Sequence, residues 1–122
     1  VYAGVLNQRM QNSGAKAYLI NTGWNGQGTR ISLANTRALI NAIFAGEIDE
    51  DDTETLPIFN LKMPKMLGGL DASVLDPRSS YDDPAEWEKQ ARHLGGLFVD
   101  NFGKFTDTDA GKALIAAGPQ LD

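Results

Sequence analysis

The residues best suited to chemistry lie in one glycine-rich stretch of the sequence. Gly23, Gly26 and Gly28 fall within six positions and are followed by Arg30. Glycines let a ligand approach the backbone closely, and an arginine supplies a planar fork of donors. Free N–H groups at the start of a following helix attract anions. The stretch therefore predicts an anion site, although a flexible turn before a capped helix explains the same residues.

Thr36 is the second unusual residue of this region. At 3.6 residues per turn it shares a helical stripe with Leu33 and Ile40, so its hydroxyl points inward. One interpretation is a ligand group met by Thr36 and Arg30. The other is a hydroxyl bonded to the carbonyl four residues earlier, and spacing alone favours this second interpretation. The two common glycine motifs of nucleotide sites, G-x-x-x-x-G-K-[ST] and G-x-G-x-x-G, are both absent.

Acidic residues concentrate in one segment, which holds six of the sixteen carboxylates: Glu47, Asp49, Glu50, Asp51, Asp52 and Glu54. Carboxylates can bind a divalent cation, but this segment lacks the spacing and the central glycine of an EF-hand. A solvated loop is therefore favoured. His93 is the single histidine and lies one position off the apolar face of a predicted helix, which favours a surface imidazole over a metal ligand.

Composition narrows the possible classes of protein. The 122 residues carry a net charge of −5, which argues against a nucleic-acid partner or an anionic membrane surface. Cysteine is absent, which excludes disulfides, thiolate zinc sites and cysteine nucleophiles. No apolar run approaches the roughly 20 residues of a membrane span. The first residues lack a methionine and a basic segment, so we expect an internal piece of a longer chain rather than a signal peptide.

Several elements must position the glycine-rich stretch. Periodicity predicts a helix over 2–13 ended by Gly14, a buried strand over 16–22, and a helix capped by Ser32 that runs to about residue 45. An extended piece follows over 56–64, and its prolines confine it to a sheet edge or to irregular structure.

Further along, residues 65–82 form a long connection in the sequence-based prediction. Asp83 then caps a helix that runs to about residue 105, in which Gly95 and Gly96 indicate close packing, and a short helix covers 109–117. We expect a helix-rich α/β (α+β) fold with few short strands and about four helices. It is a single domain with three parts, 1–46, 47–82 and 83–122.

A family resemblance extends across the whole chain. The chain resembles the C-terminal portion of ATP-dependent phosphoenolpyruvate carboxykinase of the bacterial type, within its mononucleotide-binding domain. The similar segments are YLINTGWNG at 18–26, RISL at 30–33, LPIFNL at 56–61, LDPR at 75–78, LFVDNF at 97–102 and AAGP at 116–119.

The resemblance implies a reaction and a set of partners. Such enzymes convert oxaloacetate and ATP to phosphoenolpyruvate, ADP and carbon dioxide with Mg²⁺ and Mn²⁺, in cytoplasmic gluconeogenesis. It also implies that Arg30, Ile31 and Thr36 contact the adenosine end of ATP. The family holds the phosphates on a separate P-loop, which disagrees with the anion interpretation of the glycine-rich stretch.

The P-loop, the metal-binding residues and the oxaloacetate-binding arginines of the family are not found in this sequence. We therefore expect no catalytic residue and no metal site here, no cofactor bound wholly by this chain, and no turnover without the missing N-terminal lobe. Self-association through surfaces that face that lobe is expected, with Trp24, Phe59, Met63, Met66 and Leu67 as candidates. The alternative is a free-standing, non-catalytic nucleotide-binding or interaction module.

Overall fold

A computed structural model describes residues 2–122, and its elements mix helices with one small sheet. The described residues contain α1 (Tyr2–Ser13), α2 (Leu33–Phe44), β1 (Thr53–Leu56), β2 (Leu61–Pro64), α3 (Ala72–Leu75), α4 (Pro84–Phe102) and α5 (Asp109–Ala113). Short 3-10 helices cover Pro77–Ser80, Gly103–Phe105 and Ile115–Ala117. The helix-rich α/β class is confirmed.

The first two helices end where the sequence predicts. Gly14 follows α1 at φ 65° and Gly46 follows α2 at φ 71°, a left-handed conformation that suits glycine. The Ser32 side chain accepts a hydrogen bond from the Asn35 amide and so caps α2. Local capping signals therefore decide both helices.

The predicted buried strand over 16–22 is wrong. The segment has no regular secondary structure and belongs to no ladder, and Leu19 is 85% exposed. A strand needs a neighbouring strand to satisfy its N–H and C=O groups, and none of residues 2–122 pairs with this segment. Its apolar composition predicted burial correctly only for Ile20, which is half-buried.

The predicted extended piece over 56–64 is confirmed only in part, because it contains the turn and the second strand of a hairpin. Strands β1 and β2 pair antiparallel, with Leu56 opposite Leu61. The chain reverses between them through Ile58 at φ 71° and Asn60 at φ 55°. Positive φ is common for asparagine and rare for a β-branched residue, so surrounding packing must hold Ile58 there.

The hairpin and α4 form the core. The buried apolar residues of this cluster are Leu56, Ile58, Met63, Trp87 and Ala91, with Phe59 and Tyr81 packed against them. Trp87 is 8% exposed. Helix α4 begins as predicted, because the Asp83 side chain accepts from the Ala85 amide and Pro84 occupies the first turn.

The C-terminal segment closes over α4 at Gly95. A Cβ at this glycine would lie 2.9 Å from Leu121 Cδ2 and 3.2 Å from Ile58 Cγ2. The Gln120 amide also donates to the Ile58 carbonyl at 2.7 Å. The predicted close packing is thus confirmed at Gly95, whereas Gly96 has nothing within 4 Å of its Cβ position.

Beyond Gly95 the packing of α4 weakens. The helix ends at Phe102 rather than near residue 105, and a 3-10 turn continues to Phe105. Of its aromatic residues, Trp87 lies in the core while Phe98 and Phe105 remain more than half exposed. Within residues 2–122, no helix has the length and apolar character needed to cross a membrane.

Candidate functional site

The glycine-rich stretch folds into a closed loop at residues 23–31. Trp24 and Arg30 face each other in an isolated antiparallel bridge, and the Ile31 amide donates to the Gly23 carbonyl at 2.8 Å. Asn25 organises the interior, because its side-chain oxygen accepts from the amides of Gln27 and Thr29. The loop is therefore one hydrogen-bonded unit rather than a flexible turn.

These hydrogen bonds leave few donors for an anion. The amides that already donate to acceptors of the chain are those of Gly23, Asn25, Gly26, Gln27, Gly28, Thr29 and Ile31. An anion cradle needs N–H groups that point at the ligand. The amides of the glycine-rich loop are therefore not free for an anion, whereas the first amides of α2, at Leu33 and Ala34, donate to no acceptor within residues 2–122.

Arg30 is the exposed cation of the loop. It forms no ion pair within residues 2–122, so its guanidinium is available to a ligand. The neighbouring Ile31 is half-buried and lines a groove of 1150 Å³. This groove runs between segment 16–21, helix α2 and the hairpin, and apolar side chains form most of its wall.

Thr36 lies half-buried in the first turns of α2. Its amide donates to the Ser32 carbonyl at 3.0 Å, but among the described residues its hydroxyl makes no hydrogen bond. The expected bond to the carbonyl four residues earlier is thus absent from residues 2–122. Thr36 is not part of the groove wall, to which Leu39 and Ile43 of the same helix contribute. The structure brings Ile31 to the groove and leaves Thr36 outside it.

The acidic segment serves as a set of ion-pair partners. Its carboxylates reach cations from three other parts of the chain: Glu50 to Lys16 at 2.7 Å, Asp52 to Lys65 at 3.7 Å and Glu54 to Arg78 at 2.7 Å. The hydrogen bond to Glu50 raises the pKa of Lys16, and the same bond lowers the pKa of Glu50. In the described part of the chain no three histidine or carboxylate side chains converge as a metal site would require.

Arg78 is the centre of a network that sequence reasoning missed. Its guanidinium donates to both carboxylate oxygens of Asp76 and to Glu54. These bonds lower the pKa of Asp76 and raise the pKa of Arg78. The Asp76 side chain also caps the 3-10 helix Pro77–Ser80 by accepting from the Arg78 amide, and the Asp-Pro pair was the available signal for this cap.

The end of that 3-10 helix touches the loop. The Gly26 amide donates to Ser80 Oγ at 3.1 Å. A Cβ at Gly26 would lie between 2.1 and 2.7 Å from three atoms of the Tyr81 ring. No sequence motif joins these residues, which lie 54 positions apart. His93, by contrast, is exposed as predicted and takes no part in the site.

A comparison with known protein families identifies the family of this chain. A family model described as phosphoenolpyruvate carboxykinase, of the ATP-dependent type, matches residues 1–73. The match includes the closed loop, α2, the acidic segment and the hairpin. Because it spans more than half of the 122 residues, the chain belongs to the ATP-dependent phosphoenolpyruvate carboxykinase family.

Proposed function

We propose that this chain contacts the adenosine end of ATP in the carboxykinase reaction. In that reaction oxaloacetate and ATP give phosphoenolpyruvate, ADP and carbon dioxide. The family match over residues 1–73 carries the proposal, because it contains the loop and α2 with all three proposed contact residues: Arg30, Ile31 and Thr36. Residues 1–46 would then form the nucleotide-contact unit of the chain.

Each of the three residues supplies a different contact. The unpaired Arg30 guanidinium offers planar donors to the ring nitrogens or the ribose oxygens of adenosine. Ile31 offers an apolar surface at the edge of the groove, and Thr36 offers a hydroxyl without a partner in the described chain. A base held between an apolar surface and a few directed donors is the usual form of such sites.

The bond changes belong to groups outside this sequence. Loss of carbon dioxide from oxaloacetate leaves an enolate, whose oxygen attacks the γ-phosphorus of ATP while the bond to ADP breaks. The family uses Mg²⁺ and Mn²⁺ to stabilise the charges of this transfer. Residues 2–122 offer no side-chain cluster that fits such an ion, so we derive no metal-dependent step for this chain.

We propose further that the chain works with an N-terminal lobe that carries the P-loop and the oxaloacetate site, in cytoplasmic gluconeogenesis. The 122-residue chain alone should then show no carboxykinase turnover. An assay that couples phosphoenolpyruvate formation to NADH oxidation tests this directly, and turnover by the pure chain would contradict it.

Titration with ATP tests the contact residues. Trp24 lies in the loop and is 64% exposed, so its fluorescence should report a ligand at Arg30. We expect saturable binding that weakens about tenfold or more in Arg30→Ala and Thr36→Val, since each loses a directed hydrogen bond. Arg9→Ala is the matched control, because Arg9 is an exposed arginine of α1. Unchanged affinity in both site variants would reject the assignment.

Self-association is a separate proposal about partners. The chain exposes 9161 Å², whereas a folded monomer of 13.2 kDa exposes about 6,400 Å². Helix α1 has no buried residue, and Trp24 and Met66 are exposed. Three of the predicted surface candidates, however, are not free surface. Met63 and Leu67 are buried within the chain, so the prediction was wrong for them. Phe59 is half-buried, so the prediction was right for it only in part.

Light scattering during size exclusion tests the association. We expect the mass to rise above 13.2 kDa as the concentration increases. Leu19→Lys should reduce the rise, because it places a charge on an exposed apolar segment. A constant monomer mass at high concentration would contradict the proposal.

A further inference from the structure

The loop at residues 23–31 is positioned by a contact far away in sequence. Within the described chain, the Gly26–Ser80 hydrogen bond is the one hydrogen bond that joins the loop to a residue beyond Ser32. We propose that Ser80 and Tyr81 are positioning residues, which hold the loop in the form that presents Arg30 and Ile31 to the nucleotide. This inference rests on the function proposed above.

Ser80 is set up to accept the Gly26 hydrogen bond. Its side chain is 6% exposed, and its hydroxyl proton is used in a bond to the Pro77 carbonyl at 2.8 Å. A hydroxyl has one proton and two lone pairs, so this bond fixes the oxygen as an acceptor for the Gly26 amide. A buried acceptor that loses its donor costs free energy, so the pair is favoured strongly over separate groups.

Tyr81 supplies the second half of the contact. Its ring lies so close to Gly26 that no side chain larger than hydrogen fits at that position. The same ring packs against the core formed by the hairpin and α4. Tyr81 therefore connects the loop directly to the most buried part of the molecule.

The short 3-10 helix that precedes Tyr81 and includes Ser80 is itself held in place. The 3-10 helix Pro77–Ser80 begins at the Asp76 cap, and Arg78 connects that cap to Glu54 in strand β1 of the hairpin. On the other side of the loop, the bridge pairs the backbone at Trp24 with the backbone at Arg30, so the position of Gly26 constrains the backbone at Arg30.

The chain offers well-matched variants for a test. Ser80→Ala removes the acceptor, and Ser80→Thr restores a hydroxyl at the same position. Ser79→Ala is the control, because the exposed Ser79 hydroxyl bonds to the Asp76 carbonyl in the same 3-10 helix without touching the loop. Gly26→Ala removes the space for the Tyr81 ring.

Two measurements separate positioning from binding. The first is amide hydrogen exchange at Gly26, followed by NMR without nucleotide. We expect exchange about tenfold faster in Ser80→Ala than in the original chain, with protection restored in Ser80→Thr and unchanged in Ser79→Ala. Equal exchange in Ser80→Ala and Ser79→Ala would overturn the proposal, whether or not the chain binds ATP.

The second measurement is ATP affinity by Trp24 fluorescence at matched thermal stability. We expect about a tenfold loss in Ser80→Ala and Gly26→Ala, and rescue in Ser80→Thr. If Arg30→Ala abolishes binding while Ser80→Ala and Gly26→Ala bind as the original chain does, the nucleotide proposal stands and the positioning proposal fails. If Arg30→Ala and Thr36→Val both leave the affinity unchanged, the nucleotide proposal fails, and the exchange result alone decides the positioning.

Discussion

The loop at residues 23–31 and the core around Trp87 are ordered by different forces. In the core, the hairpin, α4 and the C-terminal segment bury Leu56, Ile58 and Trp87 against one another. The loop buries almost nothing and is held by hydrogen bonds through Asn25 and by Ser80. Burial gives stability without directional demands, whereas hydrogen bonds give defined geometry at little net gain in free energy.

This difference separates stability from ligand geometry. Substitutions in the core should lower the free energy of unfolding, while substitutions at the loop contact should change local exchange and affinity. The two regions also differ in their relation to the family match, which ends at residue 73. The core needs Trp87, Ala91 and Gly95 from beyond that limit, so the match boundary is not a structural boundary.

The largest expected difference in the free energy of unfolding is between variants of the two tryptophans. Trp87→Ala should cost about 3–5 kcal/mol of unfolding free energy, because it opens a cavity in the only large apolar cluster described for residues 2–122. Trp24→Ala removes a side chain that is mostly exposed, so it should change the free energy of unfolding by about 0.5 kcal/mol at most. Urea unfolding followed by far-ultraviolet circular dichroism measures both. Similar losses would show that the loop is part of the core.

The adjacent glycines of α4 give a smaller and sharper contrast. Gly95→Val should cost about 1–3 kcal/mol, because its side chain would overlap Leu121 and Ile58. Gly96→Val should raise stability by a few tenths of a kcal/mol, about the helix-propensity difference, because its position is open. Thermal unfolding of the two variants compares them directly. An equal effect at both positions would argue against closure of the C-terminal segment over α4.

The network at Arg78 gives the smallest effect, and it depends on pH. Arg78 lowers the pKa of Asp76 below its ordinary value of 3.8, so the ionised carboxylate stabilises the fold above that value and the stabilisation disappears as pH falls through the lowered pKa. Asp76→Asn should lower the free energy of unfolding by about 1 kcal/mol at neutral pH. This difference from the original chain should disappear in acid. Urea midpoints at several pH values measure this gap. A gap that is unchanged in acid would contradict the assignment.

Asp82→Asn is the control for that experiment. Asp82 is an exposed carboxylate close in sequence to Asp76, and it forms no ion pair within residues 2–122. Its substitution should leave the urea midpoint at neutral pH nearly unchanged.

Local signals predicted most of the fold. Ser32, Asp83, Gly14 and Gly46 mark helix ends through bonds within a few residues, and the structure has helices at all four places. The strand over 16–22 was wrong, and the extended piece over 56–64 was right only for its second half, β2, for one reason. Strand pairing depends on what lies beside the segment, which composition does not contain.

The site was predictable only in part. The glycine-rich loop stood out by its composition, but its interior bonds through Asn25 depend on a fold that composition does not specify. Ser80 and Tyr81 were missed because no period or motif connects them to Gly26. Contacts between segments 54 residues apart carry no sequence signal in a single chain. The contacts of Ser80 and Tyr81 with Gly26 are visible only in the three-dimensional structure.

The bond between the Gln120 amide and the Ile58 carbonyl has a consequence for biosynthesis. A ribosome delivers the hairpin turn long before it delivers Gln120, Pro119 and Leu121, the residues that close over Gly95. During this interval the packing that holds Ile58 in its unusual backbone conformation is incomplete. The apolar surface around Gly95 and Ile58 therefore stays uncovered by these residues until residue 121 has left the exit tunnel, and exposed apolar surface of this kind favours aggregation during synthesis.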